Sequence, residues 1–272
     1  MIRPTLAVLV AVLAGGCAGA PREEPARPRR PGIDVPGLFL AEDAPARLVC
    51  GHRGDFYGSL LGAGLNTLGS FDQALDAGVD LVEVDVRVTA DRVPVIAHDG
   101  GPEERSLAAW LARGKRWLTL EEVLRWARDR TVVLLDLKTR DVAAIAKTLR
   151  SAGAVDRALL LAGGRGEHDR IRAAGGDLWV VARARRRHDV GRWLNPPDAR
   201  ILAIHVNPDF LTDGVVKRIH AHGKKVWVNA WDATWHQEFF GGTGVIDDLF
   251  ERGADIVHTN VPSDAAGARE KR

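Results

Sequence analysis

Asp80-Leu81-Val82-Glu83-Val84-Asp85-Val86 reads as a β-strand with two unlike faces. Side chains alternate across a strand, so Glu83 and Asp85 share one face while Val82, Val84 and Val86 share the other. Two inward-facing carboxylates repel each other and are costly to desolvate. A bound cation removes that cost, and an all-oxygen set suits Mg²⁺ or Ca²⁺ better than Zn²⁺. The open alternative is an ion pair with an arginine.

The same device recurs downstream in Val132-Val133-Leu134-Leu135-Asp136-Leu137-Lys138. Asp136 is a candidate third metal ligand. Lys138, on the same face, is a candidate contact for a substrate phosphate, or else the partner of Asp136 in an internal salt bridge. Upstream, Cys50-Gly51-His52-Arg53-Gly54 places a His-Arg pair between glycines. Histidine can move a proton near neutral pH, and arginine can hold a phosphate through two parallel hydrogen bonds. His98-Asp99 follows the short apolar run Val93–Ala97. Cleavage of a phosphodiester needs a base for the nucleophile and an acid for the leaving alkoxide. His52 and His98 are the candidates for that pair.

Short apolar runs alternate with helix-length segments from Arg47 onward, which is βαβ patterning. Strands are expected at Leu48–Gly51, Asp80–Val86, Thr131–Leu137, Ala158–Ala162, Leu178–Ala182, Ile201–Val206, Lys225–Asn229 and Asp255–His258, with Val93–Ala97 as a hairpin partner of the second. Helices are expected at Ser70–Ala77, Leu120–Asp129, Val142–Ala152, Glu167–Ala174, Asp209–His222 and Gly244–Arg252. Thr119 and Glu122 form a capping box. Gly78, Gly153, Gly175, Gly223 and Gly253 stand where helices end. The fold expected is an α/β, single-domain TIM-type (β/α)₈ barrel; an open doubly wound sheet is the alternative. In such a barrel, functional side chains stand at the C-terminal ends of the strands. Gly163-Gly164-Arg165-Gly166 lacks P-loop spacing and reads as a tight strand-to-helix connection. Arg183, Arg185, Arg186 and Arg187 read as a solvated turn.

The 272 residues are 46% hydrophobic and 27% charged, a globular balance that argues against disorder. The formal charge is +2, but residues 1–32 hold five Arg and two Glu, leaving 33 basic against 34 acidic residues in the body. No body-wide basic surplus exists to drive nucleic-acid binding, and no nucleic-acid partner is expected. Met1-Ile-Arg3, an apolar run from Thr5 to Ala14, and Ala14-Gly15-Gly16-Cys17 follow signal-peptide grammar. The segment also resembles a bacterial lipoprotein signal, in which the cysteine is acylated, although Leu13 stands one place further upstream than usual. Cys17 is therefore expected to carry a lipid rather than to pair with Cys50. The expected organisation is a signal peptide over residues 1–17, a flexible Pro/Arg/Ala-rich tether and lead-in over 18–46, the barrel over 47–265, and a polar tail over 266–272. The expected location is outside the cytoplasm, on a membrane, facing the periplasm or the cell exterior.

Taken together, Gly51-His52-Arg53-Gly54, Asn66-Thr67, Glu83-Val84-Asp85-Val86 with Thr89-Ala90-Asp91, His98-Asp99, Leu118-Thr119-Leu120-Glu121-Glu122, Asp136-Leu137-Lys138 and Gly253–Pro262 resemble the glycerophosphodiester phosphodiesterase family. The resemblance implies a TIM barrel, one divalent cation (Ca²⁺ or Mg²⁺), and hydrolysis of a glycerophosphodiester to glycerol 3-phosphate and an alcohol. It implies His52 and His98 as the acid–base pair, Glu83, Asp85 and Asp136 as metal ligands, and Arg53 and Lys138 as phosphate contacts. Three positions depart from the family pattern: Leu65 replaces a Glu, Asp136 replaces a Glu, and Asn229 stands where a Trp is common, with Trp227 and Trp231 nearby. Related phospholipases D that act on sphingomyelin or lysophospholipid keep a lipid substrate open. A weakened barrel that binds a phosphorylated ligand without turnover is the non-enzymatic alternative.

Overall fold

The computed structural model describes residues 33–56, 64–232 and 244–263. Strands β1 (Leu48–Gly51), β2 (Leu81–Val88), β5 (Val132–Leu137), β6 (Ala158–Ala162), β7 (Trp179–Arg183), β8 (Ile201–Val206), β9 (Lys225–Asn229) and β10 (Ile256–Thr259) pair in parallel. A β1–β2 pairing closes the ring. The protein is a single-domain TIM barrel, and the eight expected strands are those eight, with ends shifted by at most two residues.

Outside the ring, β3 (Pro94–Ile96) runs antiparallel to β2, as expected of a hairpin, and β4 (Leu118–Thr119) extends it. Among the described residues, helices α2 (Leu68–Asp76), α4 (Leu120–Ala127), α5 (Val142–Ser151), α6 (Arg165–Ala174), α8 (Asp213–His220) and α9 (Gly244–Glu251) match the expected set. The Thr119–Glu122 capping box is formed. Helix α2 starts earlier than expected, because Thr67 caps it and Ser70 is the reciprocal partner inside the first turn. Helix α8 is shorter than expected at its start, where Pro208–Phe210 forms a separate 3₁₀ turn. Gly78, Gly153, Gly223 and Gly253 adopt positive φ at helix ends, whereas Gly175 is extended at φ 165 and ends α6 without the left-handed turn.

Strand parity divides the apolar residues into two cores. Val82, Val84 and Val86 pack outward against the helices, in a layer with Val133, Leu135, Leu160, Val180 and Val226. Leu48, Cys50, Leu81, Val132, Leu134, Leu159, Trp179, Val181 and Trp227 fill the barrel interior toward its N-terminal end. Val35, Leu38 and Phe39 join that interior cluster from a helix not foreseen in the sequence, α1 (Val35–Phe39), capped by Asp34. The lead-in expected to be flexible up to residue 46 is thus folded from residue 33 onward and stoppers the base of the barrel. Two further unforeseen helices are α3 (Leu107–Leu111) and α7 (Arg187–Leu194). The signal peptide, Cys17, the first part of the tether (residues 18–32) and the tail from residue 264 lie outside the described residues. No helix among the described residues is long and apolar enough to cross a membrane.

Candidate active site

Following each inward column upward, the apolar plug gives way to polar side chains at the C-terminal mouth. The columns read Leu48–Cys50–His52, Leu81–Glu83–Asp85, Val132–Leu134–Asp136, Val181–Arg183, Ala203–His205, Trp227–Asn229 and Ile256–His258–Asn260. Register aligns Asp85 with Asp136 across the β2–β5 pair. As a result, ligand oxygens of Glu83, Asp85 and Asp136 all lie within 4.8 Å of one another.

Glu83 and Asp85 are 2% and 0% exposed, so water does not screen their mutual repulsion. Burial first, then the Asp85 and Asp136 charges, raise the Glu83 pKa well above the ordinary carboxylate value. Basic residues partly offset that charge. Arg53 Nε lies 2.9 Å from Asp85 Oδ2, and Lys138 Nζ lies 3.3 Å from Asp85 Oδ1 and 2.7 Å from Asp136 Oδ2. Arg53 and Lys138, expected as phosphate contacts, thus pair here with the acids, and both internal ion pairs left open by the sequence are present. Asn66 Nδ2 donates to Asp85 Oδ2 at 2.8 Å, and the Arg53 amide donates to Glu83 Oε2 at 3.0 Å.

The acids fit a hard divalent cation: the donors are all carboxylate oxygens on two adjacent strands. Among the described residues Asp85 Oδ1 has only the 3.3 Å contact with Lys138 Nζ, and Glu83 is under strong pressure to lose its charge. Arg53 and Asn66 both hold left-handed backbone, with φ of 53 and 57, a costly choice for side-chain-bearing residues and one concentrated at functional sites. Gly54 turns the loop at φ 86 where its α-carbon faces the Ser70 backbone; a β-carbon there would stand 2.6 Å from Ser70 O.

His52 lies against this acidic cluster, its Nε2 4.0 Å from Glu83 Oε2. Its ring is stacked with Phe56 at 5.2 Å and with Trp231 at 4.5 Å. Burial lowers its pKa to about 4, against the opposing pull of its bond to Asn260. The neutral imidazole makes a 2.6 Å hydrogen bond from Nδ1 to Asn260 Oδ1. Because Asn260 Oδ1 can only accept, the proton sits on Nδ1 and the Nε2 lone pair is left for chemistry. Trp231 supplies an aromatic face to His52, two residues beyond the Asn229 that departs from the family pattern.

His98 is held differently. It sits beyond β3 on the excursion outside the ring, bonded through Nδ1 to Asp99 Oδ2 at 2.7 Å, with its carbonyl accepting from Arg87 Nε. It lines a cleft of about 580 Å³ together with Arg53, Leu65, Asn66, Lys115 and Trp117. Leu65, the substituted family position, is therefore a wall of this cleft.

Sequence reasoning assigned no role to His205, Asn229, His258 or Asn260. His258 Nδ1 approaches Asn229 Oδ1 at 3.3 Å and its ring packs edge-on to His52 at 5.3 Å. The available signal was inward parity near the end of each strand. Burial, with Arg183 and Arg185 beside it, pushes the His205 pKa well below its ordinary 6.5. The unfolded chain therefore binds a proton below pH ~6.5 that folded His205 refuses, so stability falls as pH falls through that range. The expected slope from this group is about 1.4 kcal/mol per pH unit. His52 and His258, whose pKa values burial also lowers, add slope of the same sign. Urea denaturation between pH 5 and 7 is therefore expected to show a shallower pH dependence in His205→Leu than in the wild type.

Residues 52–155 match the model of the Glycerophosphoryl diester phosphodiesterase family. Among curated proteins, none matches this chain. Several solved structures share its barrel. A glycerophosphoryl diester phosphodiesterase from Parabacteroides distasonis aligns with a TM-score of 0.69 at 20% identity, covering 87% of this chain and 90% of the other. A glycerophosphodiester phosphodiesterase from Agrobacterium tumefaciens aligns with a TM-score of 0.65 at 19% identity, covering 82% and 99%. An Oleispira antarctica phosphodiesterase solved in complex with the product sn-glycerol-3-phosphate aligns with a TM-score of 0.63 at 19% identity, covering 83% and 97%. The resemblance read from the motifs therefore holds: residues 52–155 are similar to the Glycerophosphoryl diester phosphodiesterase family, and the chain shares the barrel fold of solved structures that carry that name.

Proposed function

We propose that the protein is an exported, metal-dependent glycerophosphodiester phosphodiesterase that releases glycerol 3-phosphate and an alcohol. The observation that carries this reading is the convergence of Glu83, Asp85 and Asp136 beside a neutral His52 at the mouth of a barrel of this kind. Glu83, Asp85 and Asp136 would hold Ca²⁺ or Mg²⁺, which when bound supplies charge stabilisation to the phosphoryl oxygens. His52 accepts a proton at Nε2, its ring fixed by Asn260 on one nitrogen and by the two aromatic faces. His98, oriented by Asp99, gives a proton to the departing alkoxide oxygen. Arg53 and Lys138 provide positive charge for the phosphate, and their positions on the acids keep that charge at the reacting centre. Water oxygen bonds to phosphorus as the bond to the alcohol oxygen breaks, and the proton balance closes through the two imidazoles.

The test is glycerol 3-phosphate release from glycerophosphocholine by purified protein. Activity abolished by EDTA and restored by Ca²⁺ or Mg²⁺ is the expected result, and the better-restoring ion identifies the metal. Headgroup release from micellar lysophospholipid or sphingomyelin alone replaces this reading with a lipid phosphodiesterase. Ligand binding without turnover replaces it with a binding barrel.

Export and membrane attachment rest on the leader ending at Cys17. Cys17→Ser is expected to shift the protein from the membrane to the soluble fraction, with turnover of a water-soluble diester retained. Fractionation of the producing cells checks it, and retention at the membrane rejects lipidation as the anchor.

A further inference from the structure

A second basic hollow lies on the same mouth, between the β6–α6 and β7–α7 connections. It has a volume of about 290 Å³, and its walls include Gly163, Arg165, Arg183, Arg185, Arg192 and Trp193. Four guanidinium groups line it with one carboxylate, Asp189, which is engaged at Arg192 and at the Arg186 amide. Arg183 is also paired with Asp232 at 3.5 Å, so the less committed charge is that of Arg165, Arg185 and Arg192. Two of the arginines are held in place. Arg165 lies over the Trp193 ring with 4.5 Å between guanidinium carbon and ring centre, and Arg185 Nε donates to Gly163 O at 3.2 Å. Trp193 is fixed in turn by its indole bond to Arg183 O at 2.9 Å. Helix α6 starts at this wall with Gly164, which has no side chain to cap the first-turn amides. Arg183 ends β7 and Arg187 opens α7; Arg185 and Arg186 lie exposed in the turn between them, as expected, and Arg185 also lines the hollow.

The hollow adjoins the proposed reaction centre. Gly163 N donates to Glu167 Oε2 at 2.7 Å, and the Glu167 carboxylate feels the charges of both Asp136 and Lys138. Arg183 in turn bears on His258, whose ring packs against His52. Glu167 is thus the partition between a site for one phosphate and a hollow lined with positive charge.

We propose that this hollow is a second oxyanion subsite, which receives a phosphate on the far end of the alcohol portion of the substrate. The inference rests on the phosphodiesterase reading and refines it: favoured substrates are diesters whose leaving alcohol carries its own anionic phosphate. Planar guanidinium forks match phosphate oxygens, and the stacked Arg165 loses little freedom on binding. Arg165, Arg185 and Arg192 are exposed, so the preference is screened by salt.

The experiment compares kcat/KM for glycerophosphoglycerol and for the same diester phosphorylated on its distal glycerol. In the wild type the phosphorylated diester is expected to be favoured about tenfold at low salt, consistent with charge-assisted contacts. The ratio shrinks at 0.5 M NaCl and approaches one in Arg165→Gln/Arg185→Gln, with either single variant intermediate. A wild-type ratio of one, or a ratio retained in the double variant, overturns the subsite. Loss of turnover of both diesters in the wild type rejects the phosphodiesterase reading instead. In that case calorimetric titration with inorganic phosphate in EDTA decides the hollow: binding weakened by Arg185→Gln sustains an anion site, and equal binding in both proteins removes it.

Discussion

Replacing His52 by alanine is expected to lower kcat/KM at least a hundredfold while the far-ultraviolet circular dichroism stays that of the wild type. General acid–base catalysis contributes roughly 10²–10⁴-fold, and His52 has the attributes of a base that is ready at neutral pH. Burial holds its pKa near 4, so the ring is uncharged. Asn260 fixes the tautomer, and Trp231 and Phe56 fix the plane. Truncation leaves a ring-sized space between those aromatics, into which free imidazole can enter. Partial recovery of His52→Ala by added imidazole separates loss of a proton carrier from loss of packing. Wild-type turnover in the alanine variant would remove His52 from the mechanism.

Asp85→Ala is expected to act on both rate and stability. Asp85 is the fully buried member of the acid cluster and the meeting point of Arg53, Lys138 and Asn66. Its removal strips a cation ligand, so metal-dependent turnover should fall by at least two orders of magnitude, a loss of about 3 kcal/mol or more in transition-state stabilisation. In EDTA the same change takes from Arg53 its 2.9 Å partner while Lys138 keeps Asp136, and it relieves the repulsion on Glu83. The expected net loss of stability is therefore smaller than the about 3–5 kcal/mol of a broken buried pair. Urea denaturation with chelator reads the second effect, and turnover against metal concentration reads the first. A variant as stable as wild type in chelator would show that relief at Glu83 fully offsets the partner lost by Arg53.

How much of this was legible beforehand follows from period-two alternation. Wherever a strand carried an acid among valines and leucines, as at Glu83, Asp85 and Asp136, the pattern exposed both the strand and its inner face. The hairpin at β3 and the Thr119 cap were equally local signals. Thr67 was passed over as a helix cap because Ser70 answers the same chemistry three residues later. Helix α1 was hidden in a Pro-rich approach, since five residues show too little periodicity to distinguish a docked turn from extended chain. His205, His258 and Asn260 drew no assignment because one polar residue near the end of an apolar run looks alike whether it lines a site or ends a strand. The double use of Arg53 and Lys138 depends on distances across strands, which no spacing along the chain reveals.

The position of α1 bears on orientation. It closes the pole of the barrel opposite the catalytic mouth, so the polypeptide reaches the folded body from the far side. With a lipid on Cys17, the fifteen residues before Ile33 stretch at most about 50 Å. If Cys17 carries a lipid, the leash joins the body at its stoppered base, which leaves the opening free to face the aqueous compartment. Dissolved diesters then meet the site directly, whereas a headgroup embedded in the supporting leaflet would require the whole barrel to capsize on its leash.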